Sequence, residues 1–189
     1  MTLIVLGLAL WWGAHLWKRV APGSRARWGE PGKGLVTVLV LVGVVLMVLG
    51  FRGSDWLGIA PAEFVELWSP PRFLVHVNNL LMFFAVYLFA ASGMKTRITR
   101  VIRHPQLTAV KTWAVAHLLV NGDLASVILF GGILAWAVVT VILINRAGPR
   151  GPLPEPAPMG REIGAVLGAV VVLVGIMLVH NWLGVPPWG

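Results

Sequence analysis

The sequence predicts an all-α integral membrane protein, a polytopic transmembrane bundle of about six helices that occupies residues 1–189 as one domain. Composition indicates this class, because 58% of the residues are hydrophobic and only 12% are charged. In a soluble domain about a quarter of the residues carry charge. The apolar residues also lie in long runs, each near the length that crosses a bilayer.

Each apolar run predicts one helix. The six spans are expected at 2–17, 35–51, 73–93, 106–121, 124–144 and 163–184. The first and fourth are short, because a hydrocarbon core of about 30 Å is crossed by about 20 helical residues. Lys18 and Arg19 follow the first run and can reach the interface. Their position, without a small-residue cleavage site, favours a retained helix over a signal peptide. Pro105 suits the first turn of the fourth helix.

The charged residues predict how the chain crosses the membrane. Lys and Arg are concentrated in three loops, 18–34, 94–105 and 145–162. The loop 52–72 is mixed in charge, and the turn after the fourth span carries only Asp123. By the positive-inside rule, the three basic loops are cytoplasmic and both termini lie on the opposite side. The net charge of +8 therefore reflects orientation and attraction to anionic headgroups, and nucleic acid is not an expected partner.

The residue types exclude several kinds of site. The chain has no cysteine, which excludes disulfides, thiolate catalysis, cysteine-ligated iron–sulfur clusters and haem attachment through a CxxCH motif. The histidines and carboxylates show no zinc-site spacing such as HExxH. Two remaining features have simple structural explanations. The motif NGD at 121–123 indicates a tight turn with an N-cap for the fifth helix. Several tryptophans fall near expected interfaces, where indole is favoured: Trp17, Trp56, Trp68, Trp182 and Trp188.

Histidine is the polar residue that needs an explanation within the apolar runs. A histidine inside a span is unfavourable unless it is paired, hydrated or bound to a ligand, and a hydrogen-bonded interfacial residue is the ordinary interpretation of one alone. At 1.5 Å per residue, His15 lies about 10 Å and His117 about 17 Å from the cytoplasmic face. Imidazole reach and a helix tilt of about 20° can absorb this difference. His76 and His180 form a rival pair at matched depth.

The surroundings of the deeper pair favour a flat hydrophobic cofactor. Trp11 shares a helix face with His15, and Trp113 shares one with His117. Neutral imidazole binds haem iron in an apolar pocket that excludes water, and basic residues such as Arg103 can pair with the haem propionates. The metal ligands are therefore predicted to be His15 and His117. The candidate cofactor-binding residues are His15, His117, Trp11, Trp113, Arg103, His104 and Asn121.

The segment RHPQLTAVKTWAVAHLLVNGD (103–123) strongly resembles the NnrU family of bacterial inner-membrane proteins. It is more distantly similar to plastid zeta-carotene isomerase, in which an RHPQ segment is followed by AH thirteen residues on. The resemblance extends to GAHLWKRV (13–20) and to VHNWLGVP (179–186), so it covers most of the chain.

This resemblance implies a membrane haem b protein with axial histidines at His15 and His117, the pair also indicated by depth. The isomerase has a cysteine three residues before the second histidine, where this chain has Ala114, so a cysteine-for-histidine ligand exchange is not available. The NnrU family implies the bacterial inner (plasma) membrane and a link to denitrification, through expression or maturation of nitrite and nitric oxide reductases. The expected partners are the lipid bilayer, a lipophilic or polyene substrate, those reductases and a second copy of the chain.

Three functions remain open at this point. The first is a haem protein with a redox, electron-transfer or isomerase-like role, which leaves open whether it is an enzyme. The second is an S-adenosylmethionine-dependent lipid or isoprenoid methyltransferase, because Arg103, His104 and Pro105 resemble the RHP motif of such enzymes, although their downstream paired acids are missing here. The third is a non-enzymatic membrane assembly factor whose polar residues are helix-packing contacts.

Overall fold

The structure is a computed structural model that describes residues 1–153 and 155–188. The described residues form α-helices, one 3-10 turn (Asp55–Leu57) and two isolated β-bridges, with no strand among them. The helices are α1 (Thr2–Val20), α2 (Pro22–Arg27), α3 (Pro31–Arg52), α4 (Leu74–Met94), α5 (Ile98–Val101), α6 (Pro105–Val120), α7 (Leu124–Ala147) and α8 (Met159–Trp182). The predicted all-α class is therefore confirmed.

Within the described residues, four helices are long and apolar enough to cross a membrane, namely α3, α4, α7 and α8. Each of the six predicted segments is helical, but the count of about six spans is not confirmed. Helix α6 has only 16 residues, fewer than the about 20 that cross a bilayer core. Helix α1 has 19 residues and carries Lys18 and Arg19 in its last turn. These two helices carry His117 and His15, and their polar and aromatic side chains reduce their apolarity.

The contacts divide the chain into two compact units. Unit 1 comprises Met1–Trp68 and Gly122–Trp136, and unit 2 comprises the described residues of Ser69–Asn121 and Ala137–Gly189. Helix α7 contributes its first part to unit 1 and its second part to unit 2. The single-domain organisation expected for residues 1–189 stays a prediction, and Pro154 and Gly189 lie outside the described residues.

Unit 1 is built on the pairing of α1 with α3, which is made close by small residues. A Cβ atom added to Gly7 would lie 2.5 Å from the carbonyl oxygen of Gly43. One added to Gly50 would lie 2.8 Å from the backbone nitrogen of Ile4, whose side chain is fully buried. Glycine at these positions lets two helix backbones approach, as is common between membrane helices.

Unit 1 also contains a junction between a loop and the turn that precedes α7. The backbone N–H groups of Leu67 and Trp68 donate to the carbonyl oxygen of Gly122, at 2.7 and 3.1 Å, and the N–H of Leu124 donates to the carbonyl oxygen of Val65 at 2.9 Å. These bonds form an isolated antiparallel β-bridge between Glu66 in the loop and Asp123 in the turn.

Unit 2 is built on α4, which packs against α6 and α8. Small residues dominate its buried positions, which include Ala91 on α4, Ala109 and Ala116 on α6, and Ala165 and Ala169 on α8, all of them fully buried. Short side chains let helices pack closely where lipid surrounds them. This packing brings the end of α4 next to the beginning of α8, where the Met94 side chain lies beside Gly164.

The turn before α7 is capped by a carboxylate, which confirms the predicted N-cap. Asp123 Oδ1 accepts the backbone N–H of Ser126 at 2.8 Å, and Asp123 Oδ2 accepts the Ser126 hydroxyl at 2.7 Å. An N-cap of this kind satisfies donors of the first helical turn that have no partner within the helix.

We expect Asp123→Ala to destabilise the protein by about 1–2 kcal/mol through loss of the cap. The effect lies at the upper end because the Ser126 side chain is fully buried and its hydroxyl would lose its acceptor. The apparent melting temperature in detergent measures this. Asp123→Asn is the control, since its amide oxygen can still accept the backbone N–H. Equal melting of the two variants would contradict the assigned role.

Candidate functional site

His15 lies on α1 with its ring orientation set by a backbone contact. Its Nδ1 lies 2.8 Å from the carbonyl oxygen of Trp11, one helical turn earlier. A carbonyl oxygen only accepts, so Nδ1 carries the proton and donates it. In the neutral imidazole this leaves the lone pair on Nε2. A ring whose other N–H donates to a backbone carbonyl is the arrangement found for metal-bound histidines.

Aromatic rings from two helices surround His15. The aromatic cluster consists of His15 and Trp11 from α1 and Trp136 from α7. The His15 ring centroid lies 4.2 Å from that of Trp11 and 4.8 Å from that of Trp136, and the two indoles are 5.2 Å apart. Trp136 is 6% exposed. The imidazole therefore packs against two large rings that also contact each other.

The indole N–H groups of the aromatic cluster lack hydrogen-bond partners among the described residues. Both Trp11 Nε1 and Trp136 Nε1 are buried, and neither has a hydrogen-bond partner among the described residues. Buried polar groups are nearly always hydrogen-bonded, so a pair of buried N–H donors beside one imidazole needs an explanation. A bound group that carries acceptor atoms would supply it.

A close helix contact positions Trp136 beside His15, in an edge-to-face arrangement. The indole N–H of Trp12 donates to the carbonyl oxygen of Gly132 at 3.1 Å. A Cβ atom added to Gly132 would lie 2.7 Å from Leu8 Cδ1, so glycine allows the first part of α7 to lie against α1. Trp136 follows Gly132 by about one helical turn, which brings its ring to the level of His15.

His117 repeats the local arrangement of His15 on α6. Its Nδ1 donates to the carbonyl oxygen of Trp113 at 2.9 Å, and the two ring centroids are 4.9 Å apart. The side-chain amide of Asn121 donates to the carbonyl oxygen of His117 at 2.8 Å, which caps the end of α6. Asn121 therefore supports the helix that carries the histidine.

A third histidine in unit 2 makes the same backbone bond. His180 Nδ1 donates to the carbonyl oxygen of Ile176 at 2.9 Å. His180 and His117 both belong to unit 2. His76, the other member of the rival pair, is exposed on α4. Within this unit, His180 is thus the histidine to test beside His117.

Arg103 and His104 join the start of α6 to the end of α7. Arg103 Nη2 donates to the carbonyl oxygen of Gly148 at 2.8 Å. His104 Nε2 donates to Asn145 Oδ1 at 2.9 Å, since an amide oxygen only accepts. These contacts explain both side chains as parts of the fold. They do not require S-adenosylmethionine, although Arg103 retains further N–H donors for a carboxylate.

The structure distributes the predicted site residues between the units. Unit 1 holds His15 and Trp11, and unit 2 holds His117, Trp113, Asn121, Arg103 and His104. Ligation of one iron by His15 and His117 stays a prediction. Among residues 1–153 and 155–188, no group of three or more His, Asp or Glu side chains could hold a metal ion. Haem needs fewer protein ligands, because its porphyrin supplies four.

Sequence reasoning did not identify Trp136 or the repetition of the histidine motif. Both histidines end the pattern W-x-x-A-H, at 11–15 and at 113–117. The i,i+4 spacing places each indole one turn before the imidazole. For Trp136, the available signal was its position near the middle of a long apolar run, since membrane tryptophans usually lie near the interfaces.

The comparisons with known proteins identify the family. The model of the family described as NnrU protein matches residues 3–187, nearly the whole chain. Neither a curated protein nor a solved structure matches the chain. Four helices of the described residues are able to cross a membrane, which fits the denitrification-linked membrane protein that the resemblance implied. Because the family model matches nearly the whole chain, the chain belongs to the NnrU family.

Proposed function

We propose that this NnrU-family protein is a haem b protein of the bacterial inner membrane, with His15 and His117 as the axial ligands of the iron. The observation that carries the proposal is the shared W-x-x-A-H geometry. In both copies the histidine Nδ1–H donates to the tryptophan carbonyl, at 2.8 and 2.9 Å. This bond holds the proton on Nδ1 and directs ligand chemistry to Nε2.

The surroundings of His15 fit a large flat ligand. The aromatic cluster offers large apolar rings beside the imidazole, which suit a porphyrin. Its two unpartnered indole donors, Trp11 Nε1 and Trp136 Nε1, would be satisfied by acceptor atoms of a bound group. Arg103 uses one N–H on Gly148 and keeps others for a propionate, to which guanidinium binds well.

The chemistry follows from the ligand set. Haem held by two imidazoles would supply one-electron transfer, and action on a lipophilic or polyene substrate would require one imidazole to give up its place. The nitrogen-only ligand set of this chain, with Ala114 beside His117 and no cysteine, favours a redox role over isomerisation. Family membership connects this role to expression or maturation of nitrite and nitric oxide reductases.

The test is the absorption spectrum of the protein purified from cells supplied with haem precursor. We expect a Soret band that sharpens and shifts on reduction with dithionite, and a pyridine haemochrome of haem b at about one per chain. A colourless protein under these conditions would refute the proposal. Calorimetry with S-adenosylmethionine on the same preparation separates the alternatives, because tight binding by a colourless protein would instead support the methyltransferase.

A further inference from the structure

A cleft lies where the end of α4 meets the beginning of α8. This cationic cleft has a volume of about 430 Å³ and is lined by Gly93, Met94, Lys95, Gly160, Arg161 and Gly164. A second, mainly apolar groove of about 270 Å³ lies on the adjoining face of the same part of α8, lined by Glu162, Ile163, Val166 and Leu167. Both belong to unit 2.

The cationic cleft owes its space to glycines. A Cβ atom added to Gly93 or to Gly160 would meet nothing within 4 Å, and one added to Gly164 would meet only the Met94 side chain, at 3.6 Å. Glycine at three positions of one small cleft leaves room for an external group. Gly160 also lies in the first turn of α8, which has no side-chain cap, so its backbone donors and the helix dipole favour an anion there.

Two side-chain charges reinforce this preference. Lys95 and Arg161 are exposed, and no hydrogen bond or ion pair of either side chain occurs within the described part of the chain. The nearby carboxylate of Glu162 accepts the backbone N–H of Arg97 at 2.8 Å, and among the described residues it makes no ion pair with Lys95 or Arg161. The side chain of Thr96, next to Lys95, is fully buried, and its hydroxyl has no hydrogen-bond partner among the described residues.

The neighbouring groove has the opposite character. Ile163, Val166 and Leu167 expose 52%, 43% and 60% of their surfaces. Helices α4 and α8 are both able to cross a membrane, so their adjoining ends lie at the depth of the headgroups. A molecule that fits both features has an anionic group joined to a hydrocarbon chain.

We propose that the cationic cleft binds one anionic phospholipid, with its phosphate between Lys95 and Arg161 and an acyl chain along the apolar groove. The predicted cytoplasmic position of the loops 94–105 and 145–162 places this site in the leaflet where basic residues contact anionic lipids. Free phosphate would use only the cleft, whereas a lipid uses both features. The site is independent of the proposed haem.

Native mass spectrometry of the delipidated, full-length protein tests this by titration with phosphatidylglycerol, with phosphatidylcholine of the same acyl chains, and with inorganic phosphate. We expect one phosphatidylglycerol per chain, bound more tightly than phosphatidylcholine. Lys95→Asn with Arg161→Gln should weaken phosphatidylglycerol binding about thirtyfold, since each surface cation contributes about fivefold. Asparagine suits position 95 because Lys95 has a positive φ of 55°.

Two further variants make the result decisive. Gly160→Leu fills the cleft without changing charge and should weaken phosphatidylglycerol binding similarly. Lys18→Asn with Arg27→Gln removes two exposed cations elsewhere and should change binding less than twofold. Equal affinity for the two lipids, equal loss in the control, or inorganic phosphate binding as tightly as phosphatidylglycerol would each overturn the proposal. If Lys95→Asn with Arg161→Gln aggregates, the phosphatidylglycerol affinity of Gly160→Leu decides whether the cleft is the binding site.

Discussion

Haem b content is expected to fall to background when His15 and His117 are both replaced by alanine. An iron bound to two imidazoles loses its protein ligands in this variant, and the apolar surroundings alone hold a porphyrin weakly. Each single replacement should change the spectrum from low-spin to high-spin and lower the haem recovered on purification. The pyridine haemochrome assay, normalised to protein, measures the content.

His76→Ala is the matched control, because His76 is an exposed histidine on α4 outside the proposed ligand pair. It should retain haem at the wild-type level. His180→Ala tests an alternative, since His180 makes the same backbone bond and belongs to the same unit as His117. Loss of haem in His180→Ala with full retention in His15→Ala would contradict the assignment of His15 and move the ligand pair into unit 2.

Gly122→Ala is expected to be the most damaging single methyl addition in unit 1. A Cβ atom at this position would overlap the carbonyl oxygen of Trp68. That oxygen cannot move easily, because Leu67 and Trp68 donate their N–H groups to the carbonyl of Gly122 itself. Overpacking against fixed backbone typically costs about 1–3 kcal/mol, and a steric overlap of this kind belongs at or above the upper end.

The apparent melting temperature and the monodisperse yield in detergent measure this effect. Gly131→Ala is the matched control, because it adds the same methyl group in unit 1 where nothing lies within 4 Å. In the interior of α7 it should be neutral or stabilising by up to about 1 kcal/mol. If Gly122→Ala melted together with Gly131→Ala, the close approach of the loop to the turn would be disproved.

The long helices could be predicted from the sequence because their causes are local. Apolar runs of sufficient length form helices in a bilayer, where every backbone group must be bonded internally. Pro105 marks the start of α6, and Asp123 caps α7 as expected. The short helices α2 and α5 were not predicted, since helices of six and four residues are too short to form without support from their surroundings.

The sequence by itself determined the membrane class, the helical segments and the two histidines that a helical wheel places beside tryptophan. Only the tertiary structure decided that Trp136 packs edge-to-face against His15 and that Gly122 must lack a side chain. The physical reason is that period and propensity describe neighbours on one helix. They do not specify which distant segment packs across from that helix, and the Trp136 and Trp68 contacts join residues far apart in the chain.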